Sequence, residues 1–408
     1  MEHQPPNYTG GERPEEVPLQ PTVPEELGDQ LYERRTNKEI LIAARASIEA
    51  VADQVQETES RLALRGLVQH LIDSDDRRIP SHLIRPSMIP GHPDYQDTLA
   101  SARDAAIFGL WSRSKVVYAM DEHLLRYFSE SASSQVPTQI FGNLPHPDPY
   151  VLLPKPDFND PETSYYRRHI GVPLGAFVFG RYNDAQQLCS TTADQREDLG
   201  LMFAGFIETD TGPVLQVLRC TVPLRQNTFS VEDAIEATIA KFHFNDDLGE
   251  DDHRKLEGWL RKYVGQAMSS LLYVCTDQPD VQVEEPGGHR RGKPAKSRAR
   301  RRPRPGDIGT VVKLGFRMGP ALYETQRRWE AGERREAAEG AGIGTRKRPH
   351  MKRPHIRTYW TGPGGQVPVA KWIAPFWVNK ELLDDGAGPA DVVVRPVQKR
   401  PKGPAAQR

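Results

Sequence analysis

From Leu41 onward the apolar positions fall mostly three, four or seven residues apart: Leu41, Ala44, Ile48, Val51, Val55 and Leu62. That spacing predicts an amphipathic helix, or two, reaching about Ile72. Thr36-Asn-Lys-Glu39 supplies a capping-box start. The repeat is short, so the stripe reads as a core-packing face rather than a coiled coil. Pro80, Pro86, Pro90 and Pro93 break the next stretch into an irregular connection. From Asp97 to Phe128 the pattern is helical again, with Trp111, Val116, Val117, Tyr118, Leu124, Leu125, Tyr127 and Phe128 as core.

The pattern then changes. Residues 136–156 hold six prolines around Phe141, Leu144 and Tyr150 to Leu153, and read as an extended approach to a sheet. Candidate strands are Gly175 to Tyr182, Leu199 to Glu208 and Val214 to Val222. The Asp210-Thr-Gly-Pro213 turn joins the last two as an antiparallel hairpin. Val231 to Phe244 follows as a helix, with Ser230 at its N-cap and Glu232 and Asp233 in its first turn. Arg254 to Leu272 is a second helix, running into Leu271 to Cys275. The middle of the chain is therefore expected to be α+β, an antiparallel sheet with flanking helices.

Beyond Glu285 the alternation stops. Between His289 and Arg304 there are nine Lys and Arg and no acid. Ile308 to Phe316 then reads as a strand, and Ala321 to Glu339 as a charged helix ending at Gly340. From His355 to Trp360 a two-residue period returns. Ile356, Thr358 and Trp360 share one face, and His355, Arg357 and Tyr359 the other. The glycine-rich turn from Gly362 to Gly365 brings Val367 to Ile373 back as a partner strand. This predicts a small ribbon with an apolar back, where Trp360 and Trp372 pack, and a cationic, aromatic front.

Charge sharpens this division. The net charge of the 408 residues is −1. Residues 1–287 carry 26 Lys and Arg against 45 Asp and Glu, or −19; residues 288–408 carry 28 against 10, or +18. An acidic body followed by a basic end suggests polyanion binding. The competing reading is that the two halves attract each other within the chain. With 35 prolines, 33 glycines and 37% apolar residues, several segments and linkers are expected. They are a disordered acidic, proline-rich tail (1–30), a helical region (31–135), an α+β body (136–284), a basic disordered linker (285–305), a basic and aromatic C-terminal module (306–385) and a disordered basic tail (386–408). Body and module are expected to be separable.

Cys189, Cys220 and Cys275 are far apart and form no CxxC pair, which gives no disulfide framework and no cysteine zinc site. Residues 1–30 lack the apolar stretch of a signal peptide, and no run of eighteen apolar residues occurs. A cytoplasmic protein is expected, with no cofactor and no metal.

The candidate chemistry lies in the basic ribbon. Arg346, Lys347, Arg348, His350, Lys352, Arg353, His355, Arg357 and Tyr359 are the expected nucleic-acid contacts. Arg and Lys meet phosphates, and Tyr or His rings stack on bases. His350 and His355 are an alternative acid–base pair for metal-independent RNA cleavage, since imidazoles titrate near neutral pH. The simpler reading is that both help to hold phosphate. His243, Asp246, Asp247, Glu250, Asp251, Asp252 and His253 form the densest acidic cluster; it reads as a loop with helix N-terminal charges before it reads as a metal site. No P-loop, GxGxxG, GxSxG or HExxH signature occurs, which argues against an enzyme.

The string His350-Met-Lys-Arg-Pro-His-Ile-Arg357, then Tyr359-Trp360, the glycine-rich turn and Trp372-Ile-Ala-Pro-Phe-Trp-Val378, resembles the C-terminal signature of the AcrVA2-like family. Leu144-Pro145 with Pro149 to Pro156, and Leu271-Leu-Tyr-Val274, are similar to further stretches of it. The chain departs from the family pattern at Pro354 and Ile356, where that pattern has Gly and an aromatic. The resemblance implies an anti-CRISPR-related protein of phages and plasmids. It implies a body that reads a nascent peptide or protein partner and a basic module that sits on RNA or the ribosome. A non-enzymatic regulator of this kind is the first expectation. A ribonuclease using His350 and His355, and a protein-interaction module with internally paired charge, are the alternatives.

Overall fold

The computed structural model describes residues 48–55, 95–129, 136–154, 159–180, 198–210, 212–224, 230–242, 249–284, 309–324, 326–327, 350–352, 355–365, 367–373 and 376–378. The expected tails, the linker at 285–305 and Cys189 lie outside them.

The chain is α+β, built on a mixed seven-stranded sheet. In chain order the strands are β1 (Val117–Met120), β2 (Tyr150–Leu152), β3 (Val172–Phe179), β4 (Asp198–Thr209), β5 (Gly212–Pro223), β6 (Val281–Glu284) and β7 (Val311–Leu314). Their order across the sheet is β5-β4-β3-β2-β1-β7-β6. The expectation of an antiparallel sheet holds for β2 to β5 and for β6 with β7. At the centre, β1 runs parallel to both β2 and β7. Such parallel neighbours need crossover connections, and helices supply them.

Helices cover both faces. They are α1 (Tyr95–Ser114), α2 (Glu122–Ser129), α3 (Pro161–His169), α4 (Val231–Lys241) and α5 (Glu250–Val274). Successive strand residues point to opposite faces, and both are buried. Ala176 and Val178 of β3 and Leu199, Leu201 and Phe203 of β4 enter one core, shared with α2, α4 and α5. Phe177, Phe179, Met202 and Ala204 enter the other, shared with α1 and the helical residues 48–55. The first core is filled by Trp259, Tyr263, Leu271 and Tyr273 from α5.

One expected helix is two helices and a strand. The pattern predicts helix throughout residues 97–128, but β1 occupies Val117–Met120. Lys115 adopts φ 51° and ends α1. A central strand buried on both faces is apolar throughout, so its two-residue period leaves no trace. The two-strand hairpin β4–β5 forms as read, and Ser230 caps α4 in a reciprocal box with Asp233. Helix α3 begins at Asp160, whose carboxylate accepts the Thr163 N–H, with Pro161 in the first turn.

The strand order runs across the expected boundary between body and module. Strand β7 comes from beyond the basic segment, yet it lies between β1 and β6. Asp280, just before β6, closes this join. Its carboxylate accepts the backbone N–H groups of Arg317 and Met318, each at 2.8 Å, and Arg317 Nε at 3.0 Å. The Asp280 N–H in turn donates to the Tyr273 hydroxyl at 3.0 Å. Gly315 makes the turn out of β7 with φ 71°, and a side chain there would strike Leu124. The two charge halves thus share one sheet and one core.

Candidate nucleic-acid interface

The basic ribbon forms as the hairpin that the sequence suggested. Strand β9 (His355–Thr361) pairs antiparallel with β10 (Val367–Ile373). The turn between them uses Gly362, Gly364 and Gly365 at positive φ, a conformation that favours glycine. The Gly365 N–H donates to the Gly362 carbonyl at 3.1 Å, and Thr361 Oγ1 to the Val367 carbonyl at 3.1 Å. Two further short strands, β8 (His350–Lys352) and β11 (Phe376–Val378), also pair antiparallel. Their register continues that of the hairpin. Lys352, three residues before His355, faces Phe376, three residues after Ile373. Residues 353–354 and 374–375, each containing a proline, lie outside the described residues.

The hairpin's back is fixed to the body. Ile356, Pro368, Ala370 and Trp372 are buried. The Trp372 ring meets Phe128 of α2 and Tyr273 of α5, with centroids 5.6 and 6.1 Å away. The Asp277 N–H donates to the Ala370 carbonyl at 2.7 Å, tying β10 to the turn after α5. The packing ends before the hairpin does. Trp360, expected behind the face as packing, is 54% exposed. The core beneath Ile356 and Trp372 does not extend to the tip.

The front carries the cations. Arg357 is exposed and stands directly opposite Lys371. The Arg357 guanidinium carbon lies 5.1 Å from the centroid of the Tyr359 ring, within cation–π range. His355 is half-buried opposite Ile373. From Ala341 to Lys380 the sequence contains no Asp or Glu. Arg and Lys offer eight N–H donors and no acceptor between them, which suits phosphate oxygens.

Of the other expected contacts, Lys352 and His350 stand on β8. Arg346, Lys347, Arg348 and Arg353 lie outside the described residues. His350 is opposite Val378 and His355 opposite Ile373, so the two histidines are partners in neither ladder. Lys371 was not among the expected contacts. Counting outward from the turn pairs it with Arg357, and that count was available from the sequence.

The acidic cluster behaves as a helix start. Glu250, Asp251 and Asp252 occupy the first turn of α5, and residues 243–248 lie outside the described residues. Asp252 accepts the Tyr165 hydroxyl at 2.5 Å. That bond holds the Asp252 carboxyl below its usual range and pushes the Tyr165 phenol up to about 12. Among the described residues no group of three or more His, Cys, Asp and Glu is placed to hold a metal ion. Nor is any described helix long and apolar enough to cross a membrane.

No curated protein matches the chain. The model of the AcrVA2-like family, described as the anti-CRISPR type V subtype A2 family, matches residues 118–380. That span is more than half of the chain, from the second residue of β1 to just past β11. It takes in the shared sheet and the whole basic ribbon, and the chain belongs to the AcrVA2-like family.

Proposed function

We propose that this member of an anti-CRISPR-related family is a non-enzymatic regulator that binds RNA through the front of the β9–β10 hairpin. One observation carries the reading: Arg357 and Lys371 stand opposite each other on the hairpin face whose back is anchored by Trp372, in a stretch of sequence from Ala341 to Lys380 that has no acid. Two like charges directly opposite on a strand pair destabilise it. An anion that bridges them removes that cost. The Tyr359 ring beside them adds a surface on which a base stacks.

The test is RNA binding followed by fluorescence anisotropy over a range of salt concentrations. Each phosphate contact contributes to a linear fall of log affinity with log salt. The variant Arg357→Ala/Lys371→Ala should lose about two contacts' worth of slope. Unchanged affinity and slope would remove the hairpin from the interface. If RNA is cut by the purified protein in EDTA, the ribonuclease reading with His350 and His355 takes its place.

A second observation favours a peptide partner. Strand β5 forms one margin of the sheet and, among the described residues, pairs on one side only. An extended nascent peptide added there would use main-chain hydrogen bonds. Hydrogen exchange at Gly212–Pro223 should slow when such a peptide binds. Exchange that stays unchanged at saturating peptide counts against this edge.

A further inference from the structure

We infer that the tip of the β9–β10 hairpin takes an unpaired base on each of its two faces, against Tyr359 on one and Trp360 on the other. The RNA it binds is then single-stranded. The inference rests on the reading of this hairpin as an RNA-binding face and names the class of RNA.

Tyr359 and Trp360 are neighbours on β9, so their side chains leave opposite faces of the hairpin. Both are exposed, as is Val367 at the turn. A tryptophan left more than half in water forgoes a large hydrophobic gain. Trp360 does not sit on a loose end. It is opposite Pro368, one residue before the Thr361–Val367 pair that closes the turn. Its ring makes no aromatic contact among the described residues, whereas Trp372, four pairs deeper on the same face, meets two rings. The same strand pair therefore carries one tryptophan as an anchor and one as a presented surface.

The charge around the tip selects the occupant. Arg357 and Lys371 lie two pairs inward of Tyr359 on its face, and no acid occurs from Ala341 to Lys380. A protein interface of ordinary size loses charge at its centre. Here the exposed Tyr359 and Val367 share a face with two cations instead, which is the composition of a single-strand platform: an aromatic ring for a base and a positive track for the backbone. The Arg357 guanidinium over the Tyr359 ring thickens that platform, since a guanidinium plane also stacks on a base. A duplex cannot satisfy this arrangement. Its bases are paired and stacked on each other, and the A-form major groove is too deep and narrow for side chains to read. Two rings facing opposite ways need two bases splayed apart.

The experiment uses the full chain and two probes: a short oligouridine, and an RNA duplex of the same length. The parent should prefer the oligouridine. Trp360→Ala should weaken oligouridine binding roughly 5- to 150-fold, the range for losing one stacked base, and leave duplex binding unchanged. Trp360→Phe should retain most of the affinity. Because Trp360 is largely exposed, both variants should melt at the parent temperature. Equal parental affinity for the two probes would overturn the single-strand inference while the RNA-binding reading stands. So would an equal loss on both probes in Trp360→Ala. Failure of the parent to bind either probe would end both readings.

Discussion

The ring of Trp372, on the C-terminal hairpin, packs at 5.6 Å and 52° against the ring of Phe128, on the helix that follows the central strand β1. These residues stand on opposite sides of the long basic segment, and both are buried. The contact makes the hairpin part of the core while its far end stays in water.

Replacement of Trp372 by Ala should therefore unsettle the whole protein and not the hairpin alone. The ring is almost completely buried between Phe128 and Tyr273. Truncation of such a side chain costs about 3–5 kcal/mol. Urea unfolding should show a lower midpoint in one cooperative step. A separate early transition confined to the hairpin would contradict the shared core.

A chain ending at Gly287 should fail to form the native sheet. It lacks β7, which lies between β1 and β6, and it lacks Trp372. The margin of β1 and the rings of Phe128 and Tyr273 would be laid open, a template for aggregation. Size-exclusion chromatography should show aggregates, and heating should show no sharp transition. A monomer that melts cooperatively would restore the separable body.

What was legible in the chain depended on periodicity. The hairpin β4–β5, the capped helix α4 and the ribbon β9–β10 all have an alternating or helical pattern with turn or cap residues at their ends. Strand β1 was hidden because Val117 to Ala119 are buried on both faces, and four apolar residues after a helix look like more helix. Strand β7 is legible in the sequence, but its place in the sheet is not, since pairing with β1 bridges nearly two hundred residues. The site was half legible. Alternation assigned Ile356 inward and Arg357 and Tyr359 outward, as found. It also assigned Trp360 inward, because a repeating face says nothing about where the surface beneath it stops.

Asp280 offers a sharper test of the join between the halves. Its side chain is fully buried and accepts three hydrogen bonds from Arg317 and Met318. Asp280→Ala would strand two backbone N–H groups and the guanidinium, at about 3–5 kcal/mol. Arg317→Ala should cost less, because the carboxylate keeps its two backbone donors and the arginine side chain is a quarter exposed. Equal losses in chemical denaturation would mean that the ion pair, and not the backbone cradle, dominates.

Stability should also fall in acid, in part through Asp252 and Asp233. The Tyr165 hydroxyl lowers the folded pKa of Asp252, and the Ser230 hydroxyl that of Asp233. A carboxyl lowered in the fold stabilises it above the unfolded pKa of about 4 and loses that contribution as the pH drops through the folded value. Tyr165 works at the other limb: raised to about 12, it favours the fold below about 10 and loses this as the pH climbs through about 12. Asp252→Asn should flatten both limbs in denaturation midpoints measured from pH 3 to 7 and from pH 9 to 12. Curves parallel to the parent would show that the Tyr165–Asp252 bond carries no linkage.

The opposed cations of the hairpin should trade stability for binding. Arg357 and Lys371 face each other across β9 and β10, and like charges in that position cost roughly 0.2–1 kcal/mol. Lys371→Gln removes the repulsion, keeps a long polar side chain at a half-exposed site and leaves the Arg357 contact with the Tyr359 ring in place. It should raise the melting temperature slightly in the absence of RNA. It should also weaken RNA binding and lower the salt slope by about one. RNA that binds only the folded chain stabilises it by mass action. Added RNA should therefore raise the melting temperature of the parent more than that of Lys371→Gln, so the two melting curves cross in order as RNA is titrated. If the variant is less stable than the parent without RNA, Lys371 is held by partners within the fold, and the pair is not a preformed seat for phosphate.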